Sequence, residues 1–202
     1  MLAGQDGNDY LRATITRITM TEEILQANRA FVQTKGYEPY LTSKFPDKKL
    51  AILSCMDTRL TTLLPAALGL KNGDAKIIKN AGGLVPSPWD SAMRSLLVGV
   101  YELGVERIMV VHHSQCGACH MTAAEMKHLM LERGIAPETL STVERSGIDL
   151  DQWLEGFHDT ERSVRDTVQA IRRHPLLPAD VRIQGFIIDS ATGELTQVTE
   201  VV

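Results

Sequence analysis

Short apolar runs alternate with amphipathic stretches along most of this chain. Leu50–Leu53 and Ile108–Val111 are apolar at every position, as strands covered on both faces are, and each stops at a polar group of residues. Ala75–Lys79, Val181–Asp189 and Glu194–Val198 also read as strands, the last two joined by the turn residues Ala191-Thr192-Gly193. Between them the period changes to that of a helix. A short helix is expected around Leu60–Leu68, a longer one over Trp89–Leu103, and another opened by the capping pattern Thr122-x-x-Glu125 and stopped at Gly134. Trp153, Phe157, Val164, Val168 and Ile171 form one apolar stripe ending before Pro175. Near the start, Thr19-Met20-Thr21-Glu22 is a capping-box pattern followed by Ile24, Leu25, Phe31 and Val32 at helical spacing up to Gly36. A connector holding Pro39 and Pro46 follows, and residues 135–157 are the least regular region. Strand–helix alternation predicts an α/β fold. Its central sheet is mostly parallel with an antiparallel edge strand, and helices cover both faces.

Composition narrows the class. A chain of 202 residues, 44% hydrophobic and 23% charged, is that of an ordinary globular protein with one main core. We expect residues 1–18 to be a flexible N-terminal segment and 19–202 a single domain. A net charge of −4 with no basic block argues against nucleic acid as a partner. No apolar stretch approaches the ~18–20 residues that span a bilayer, and the start lacks a charged-then-apolar leader pattern. Of the three cysteines, Cys55, Cys116 and Cys119, none belongs to a disulfide framework, which fits a reducing cytoplasm.

Chemistry concentrates where the two apolar runs end. The first is followed by Ser54-Cys55-Met56-Asp57-Thr58-Arg59, the second by His112-His113-Ser114-Gln115-Cys116-Gly117. Side chains at the carboxyl ends of neighbouring parallel strands converge on one crevice. Cys55, His113 and Cys116 supply two thiolates and an imidazole, a soft donor set suited to zinc. A structural site would be closed by a fourth Cys or His. Here the nearest extra group is Asp57, a displaceable carboxylate with Arg59 two residues further on, which describes a catalytic site with an openable position. His112 alternates to the other face and reads as a packed or hydrogen-bonded histidine. Cys119 completes a Cys-x-x-Cys, and its redox use would compete with metal ligation by Cys116, so it reads as a packed neighbour.

With these residues in place, the sequence resembles the β-class carbonic anhydrases, and most of all their short, compact branch. The family signatures Cys-x-Asp-x-Arg and His-x-x-Cys-Gly stand as Cys55–Arg59 and His113–Gly117. Ile77-Ile78-Lys79-Asn80-Ala81-Gly82-Gly83 looks like the family's strand and glycine loop. The resemblance covers roughly Lys49 to Thr199. It departs at Gln115, where members commonly carry Asp, and at Lys79, where Arg is usual. The resemblance implies one zinc per chain, carbon dioxide and bicarbonate as substrates, and a homodimer, possibly paired into a tetramer, in which a helix such as Thr21–Gln33 lies across the partner subunit.

Charge gives the expected chemistry. Zinc with two thiolates and a neutral imidazole has no net formal charge, so its water should ionise above the ~7 of a three-histidine site. Asp57 as fourth ligand would leave no room for water, and Arg59 is suited to draw it off in a two-pronged pair. A zinc-bound hydroxide would then hydrate carbon dioxide to bicarbonate, reversibly. Gly82 and Gly83 would let backbone approach closely, with Leu84 and Val85 helping to line an apolar pocket. Two alternatives stand beside this: hydrolysis of carbonyl sulfide or carbon disulfide at the same type of site, and a non-catalytic zinc or redox module.

Overall fold

The computed structural model of the protein describes residues 6–199, with side chains from Thr19 onward. The backbone divides into two compact units, one ending at Thr42 and one beginning at Ser43.

In the first unit, helix α1 spans Asp6–Gln33. The capping-box residues Thr19–Glu22 therefore lie inside a helix and do not open one. No proline precedes them to halt the helix, so the local pattern carries no stop signal. The start expected to be flexible falls on residues 1–5, outside the described set, and on a stretch whose backbone is helical. The helix ends as expected before Gly36: Lys35 takes a left-handed φ of 55°, and the Gly36 N–H donates to Phe31 O at 2.8 Å. A single 3₁₀ turn, Glu38–Tyr40, follows.

In the second unit, strands β1 (Leu50–Cys55), β2 (Ala75–Asn80), β3 (Arg107–His113), β4 (Arg182–Ile188) and β5 (Leu195–Gln197) form one sheet in the order β2-β1-β3-β4-β5. The first four are parallel, and β5 runs antiparallel to β4 at the edge, as expected. Helix α2 (Leu60–Ala67) connects β1 to β2, and α3 (Ser91–Leu103) connects β2 to β3. These two crossovers travel in opposite directions along the sheet. Right-handed connections then require their helices to lie on opposite faces. The packing agrees: Ala51, Leu53, Ile108 and Val110 bury against α3 residues Met93 and Leu96, whereas Ile52 and Val111 bury against α2 residues Leu60 and Leu64. Helix α7 (Thr160–Arg172) leads into β4 and adds Val164, Val168 and Ile171 to the α3 face.

The irregular region 135–157 holds two short helices, α5 (Pro137–Arg145) and α6 (Leu150–Leu154). With α4 (Ala123–Glu132) they bury a satellite cluster of Ala123, Leu150 and Leu154, against which the half-buried Leu140 packs. The Thr122 hydroxyl caps α4 by accepting from the Glu125 N–H at 3.2 Å, as the capping pattern predicts. The expected stripe from Trp153 to Ile171 is interrupted. Trp153 sits on α6 and is 65% exposed, and Phe157 lies between helices. Asp159 caps α7 afresh through the Arg162 N–H, so a new helix starts there. Among the described residues no helix is long and apolar enough to cross a membrane.

Gly185, in the middle of β4, sets how closely α7 approaches the sheet. A Cβ there would collide with Val164 Cγ1 and come within 3.1 Å of Val168 Cγ2. Gly185→Val should cost about 1–3 kcal/mol by overpacking. The expected reading is a lower urea midpoint at unchanged slope; a wild-type midpoint would show that α7 has room to give.

Candidate metal centre

The reversal of strand order places the mouth of the sheet between β1 and β3, where a doubly wound sheet opens its crevice. Cys55 ends β1 and His113 ends β3, and Cys116 follows in the next turn. Their ligand atoms all lie within 4.8 Å of one another, with the two sulfurs 3.8 Å apart. All three are buried, His113 completely. Among the described residues this is the one such group.

The protonation pattern fits a cation. His113 Nδ1 lies 2.9 Å from the Ser114 carbonyl, which only accepts, so Nδ1 carries the proton and Nε2 offers a lone pair. Nε2 is buried and without a hydrogen-bond partner, a costly condition that a metal at this point relieves. The hydrogen bond between the two sulfurs lowers the Cys55 thiol despite burial, with help from His113 and from the backbone at Asp57 and Gly82. The same hydrogen bond, together with burial, pushes the Cys116 thiol well above its usual range. The two thiols are thus driven apart in acidity, and a divalent ion bound between them would favour the deprotonated form of both. Two sulfurs and one imidazole match zinc.

Asp57 stands beside the cluster and outside it. Arg59 grips its carboxylate from two sides, Nε to Oδ1 at 3.0 Å and Nη2 to Oδ2 at 2.8 Å, and the Arg59 N–H donates to Oδ1 at 2.9 Å. Asp57 Oδ2 is still only 3.8 Å from His113 Nε2. The Arg59 hydrogen bonds hold the Asp57 carboxyl well below the usual carboxylate range. Arg59 also reaches Gln115, donating to its carbonyl at 3.0 Å and to its side-chain oxygen at 3.3 Å. Gln115 takes a left-handed φ of 56°, which turns that carbonyl toward the guanidinium.

A cleft of about 510 Å³ adjoins the cluster, lined by Cys55, Asp57, Arg59, Gly82, Ala118 and Met121. Of the four glycine-loop residues singled out in the sequence, only Gly82 lines it. Gly83 lies against the β1 backbone: a Cβ there would come 3.0 Å from Ser54 C and 3.1 Å from Cys55 N. Its φ of +72° also suits glycine. Leu84 and Val85 line a separate depression of about 610 Å³ beside α7. Asn80 ties the loop together, its amide donating to Leu84 O at 2.7 Å and its Oδ1 accepting from the Leu84 N–H at 3.0 Å.

His112 points away from the cluster, as alternation along the strand predicts. Its Nε2–H donates to Gly83 O at 3.1 Å, its ring stacks on Phe157 at 5.7 Å, and burial lowers its pKa to about 4. It is therefore neutral. Cys119 lies outside the cluster; its N–H donates to Cys116 O, and its backbone bridges to Phe157. Lys79 ends with its ammonium buried and without a hydrogen-bond partner, and burial lowers its pKa against the pull of Cys55 and Asp57. Sequence reasoning passed over the Arg59 contact with Gln115, the Asn80 clamp and the stacking of Phe157. The first and last join segments far apart in the chain and leave no spacing signature, whereas the Asn80 clamp spans four residues and depends on the turn that the glycine loop takes.

Comparison with known proteins agrees with this geometry. The family model for carbonic anhydrase matches residues 50–195. YtiB of Bacillus subtilis (strain 168), provisionally designated a carbonic anhydrase, is 48% identical over 178 residues, covering 88% of this chain and 95% of its own. Carbon disulfide hydrolase of Acidianus sp. (strain A1-3) is 31% identical over 168 residues, 77% of this chain and 80% of its own. The crystal structure of β-carbonic anhydrase isoform I from Trichomonas vaginalis superimposes with a TM-score of 0.80 at 36% identity, covering 89% of this chain and 97% of that one. With its matched span running from the first residue of β1 into β5, the chain belongs to the β-carbonic anhydrase family.

Proposed function

We propose that the protein is a zinc carbonic anhydrase that interconverts carbon dioxide and bicarbonate. The observation that carries this reading is the Asp57 carboxylate, gripped by Arg59 and yet 3.8 Å from the free His113 nitrogen. A closed structural site has no use for such a pair. Cys55, His113 and Cys116 would hold the zinc, and Asp57 would be its exchangeable fourth ligand when released by Arg59. Bound there, zinc supplies the Lewis acidity that lets a water ionise far below its bulk pKa.

The chain's own groups do the rest. Asp57, held ionised by Arg59, accepts a hydrogen bond from the attacking water and aims its lone pair at the substrate carbon. The Gly82, Ala118 and Met121 wall admits an apolar molecule without offering it competing hydrogen bonds. Arg59, exposed at the rim, faces the bicarbonate anion as it leaves. Hydrolysis of carbon disulfide or carbonyl sulfide is the second reading, favoured by the Acidianus relative. It ranks behind because identity to YtiB is higher, 48% against 31%. Rates measured side by side on carbon dioxide and carbonyl sulfide decide between them. We place the enzyme in the cytoplasm, since all three cysteines are free thiols and two belong to the cluster. We also infer a homodimer, because Ile24 and Val32 on α1 are 61% and 53% exposed.

Three outcomes test these readings. Cys55→Ser should lose most bound zinc and all stopped-flow carbon dioxide hydration; full zinc by metal analysis would refute the ligand set. Arg59→Ala should keep its zinc and lose at least tenfold in hydration rate, where tenfold corresponds to ~1.4 kcal/mol. The pH dependence has a definite sign. Asp57 ionises below its ~3.9 reference, so the pair's stabilisation is present above that reference and is lost only as pH falls through the lowered value. Asp57 is thus ionised throughout pH 6–9, and the Arg59→Ala deficit should persist across that range; near-normal rates would rule the pair out. Light scattering at micromolar concentration should give the mass of a dimer, and a monomer mass would refute the assembly.

A further inference from the structure

His113 is aimed by a single hydrogen bond, from Nδ1 to the carbonyl of the next residue, Ser114. A neighbouring peptide group is a movable support unless something fixes its plane. The structure shows what fixes it. The Ser190 hydroxyl donates to the same Ser114 carbonyl at 3.1 Å, so this oxygen accepts from both His113 and Ser190. The Ser190 N–H in turn donates to Ser114 Oγ at 3.0 Å, and the Ser114 hydroxyl donates to Asp189 Oδ2 at 3.2 Å. Ser114 is thereby held at its carbonyl and at its side chain by two consecutive residues. Its own N–H is engaged as well, donating to Ile188 O at 3.0 Å.

The far end of this network is equally constrained. Asp189 Oδ1 accepts from the N–H groups of Ala191 and Thr192 at 2.9 and 2.7 Å and from the Thr192 hydroxyl at 3.0 Å. These bonds build the turn between β4 and β5, and they hold the Asp189 carboxyl below its ordinary pKa, so it stays an acceptor. Ser190 is 7% exposed, and it sits beyond β4, the strand that pairs with β3 up to His113↔Ile188.

We propose that Ser190, seated by the Asp189 turn, is a positioning residue for His113: it pins the Ser114 peptide and so fixes the tautomer and direction of the ligating imidazole. Partners behind a metal ligand raise its basicity and restrict its rotation, and losing one typically costs about 10–100-fold in metal affinity. The inference rests on the zinc reading above. It assigns a role to the β4–β5 turn that neither signature motif contains.

The test uses zinc-loaded protein titrated with a chromophoric chelator, giving zinc dissociation constants for wild type, Ser190→Ala and Ser190→Thr. Ser190→Ala should bind zinc about 10–100-fold more weakly, and Ser190→Thr, which keeps the hydroxyl, should recover most of the loss. A merely structural serine would lower the unfolding midpoint and leave zinc affinity alone. Wild-type affinity in Ser190→Ala, or equal weakness in the Thr variant, overturns the proposal. Should Ser190→Ala fail to fold, Asp189→Asn is read in the same titration, with weakened zinc binding expected and unchanged binding overturning. A wild-type protein that took up no zinc would instead refute the zinc reading on which this rests, so the two failures are distinguishable.

Discussion

Parallel pairing of β1 with β3, in register from Leu50↔Arg107 to Ser54↔Val111, is the contact on which the rest of the site depends. It brings together two segments some sixty residues apart and lines up their carboxyl ends. Without it, Cys55 and His113 are two unrelated strand termini. The pairing is secured from both faces. Leu53 and Val110 bury against α3 and α7, while Ile52 and Val111 bury against α2. Complete burial of these side chains contributes of the order of 2 kcal/mol each, so register slips are strongly opposed. The candidate metal ligands therefore inherit their positions from the hydrophobic core.

What lies just past the strand ends is polar, and its arrangement follows from the cost of burying unpaired groups. Ser54 Oγ–H is turned onto Val111 O at 2.7 Å, which staples β1 to β3 one residue before Cys55 and two before His113. His112 gives its proton to the glycine loop and His113 gives its own to Ser114. Adjacent histidines on one strand thus point to opposite faces and take opposite tautomers. One is a neutral support packed on Phe157, and the other leaves an unshared nitrogen in the cluster. Asp57 and Arg59 lie at the rim, where the guanidinium and, to a lesser extent, the carboxylate of their two-pronged pair stay partly hydrated.

Much of this was legible in the chain. Continuous apolar runs identified the buried strands β1 and β3, and alternation with amphipathic helices implied a parallel sheet. The signature spacings singled out Cys55, Asp57, Arg59, His113 and Cys116 because two-residue and three-residue intervals at a strand end are local geometry. Capping at Thr122 was legible for the same reason. The first helix begins earlier than its capping pattern, because such a pattern shows where a helix would begin well and gives no barrier to one already running. The stripe through Trp153 and Phe157 hides a helix boundary, because apolar periodicity continues across a break that Asp159 makes by capping a new helix.

By itself, then, the sequence determined the fold class, the strands that carry the site and the donor set, since each follows from side-chain period or from residues near in the chain. Only the tertiary structure decided which groups support those donors. Gly83 packs on the β1 backbone, Leu84 and Val85 turn toward α7, Arg59 spans to Gln115, and Ser190 reaches back from the turn beyond β4 to Ser114. These contacts join segments separated by up to 76 residues. A hydrogen bond across such a distance leaves no periodic trace, because its geometry is set by how strands and loops pack and not by their spacing along the chain.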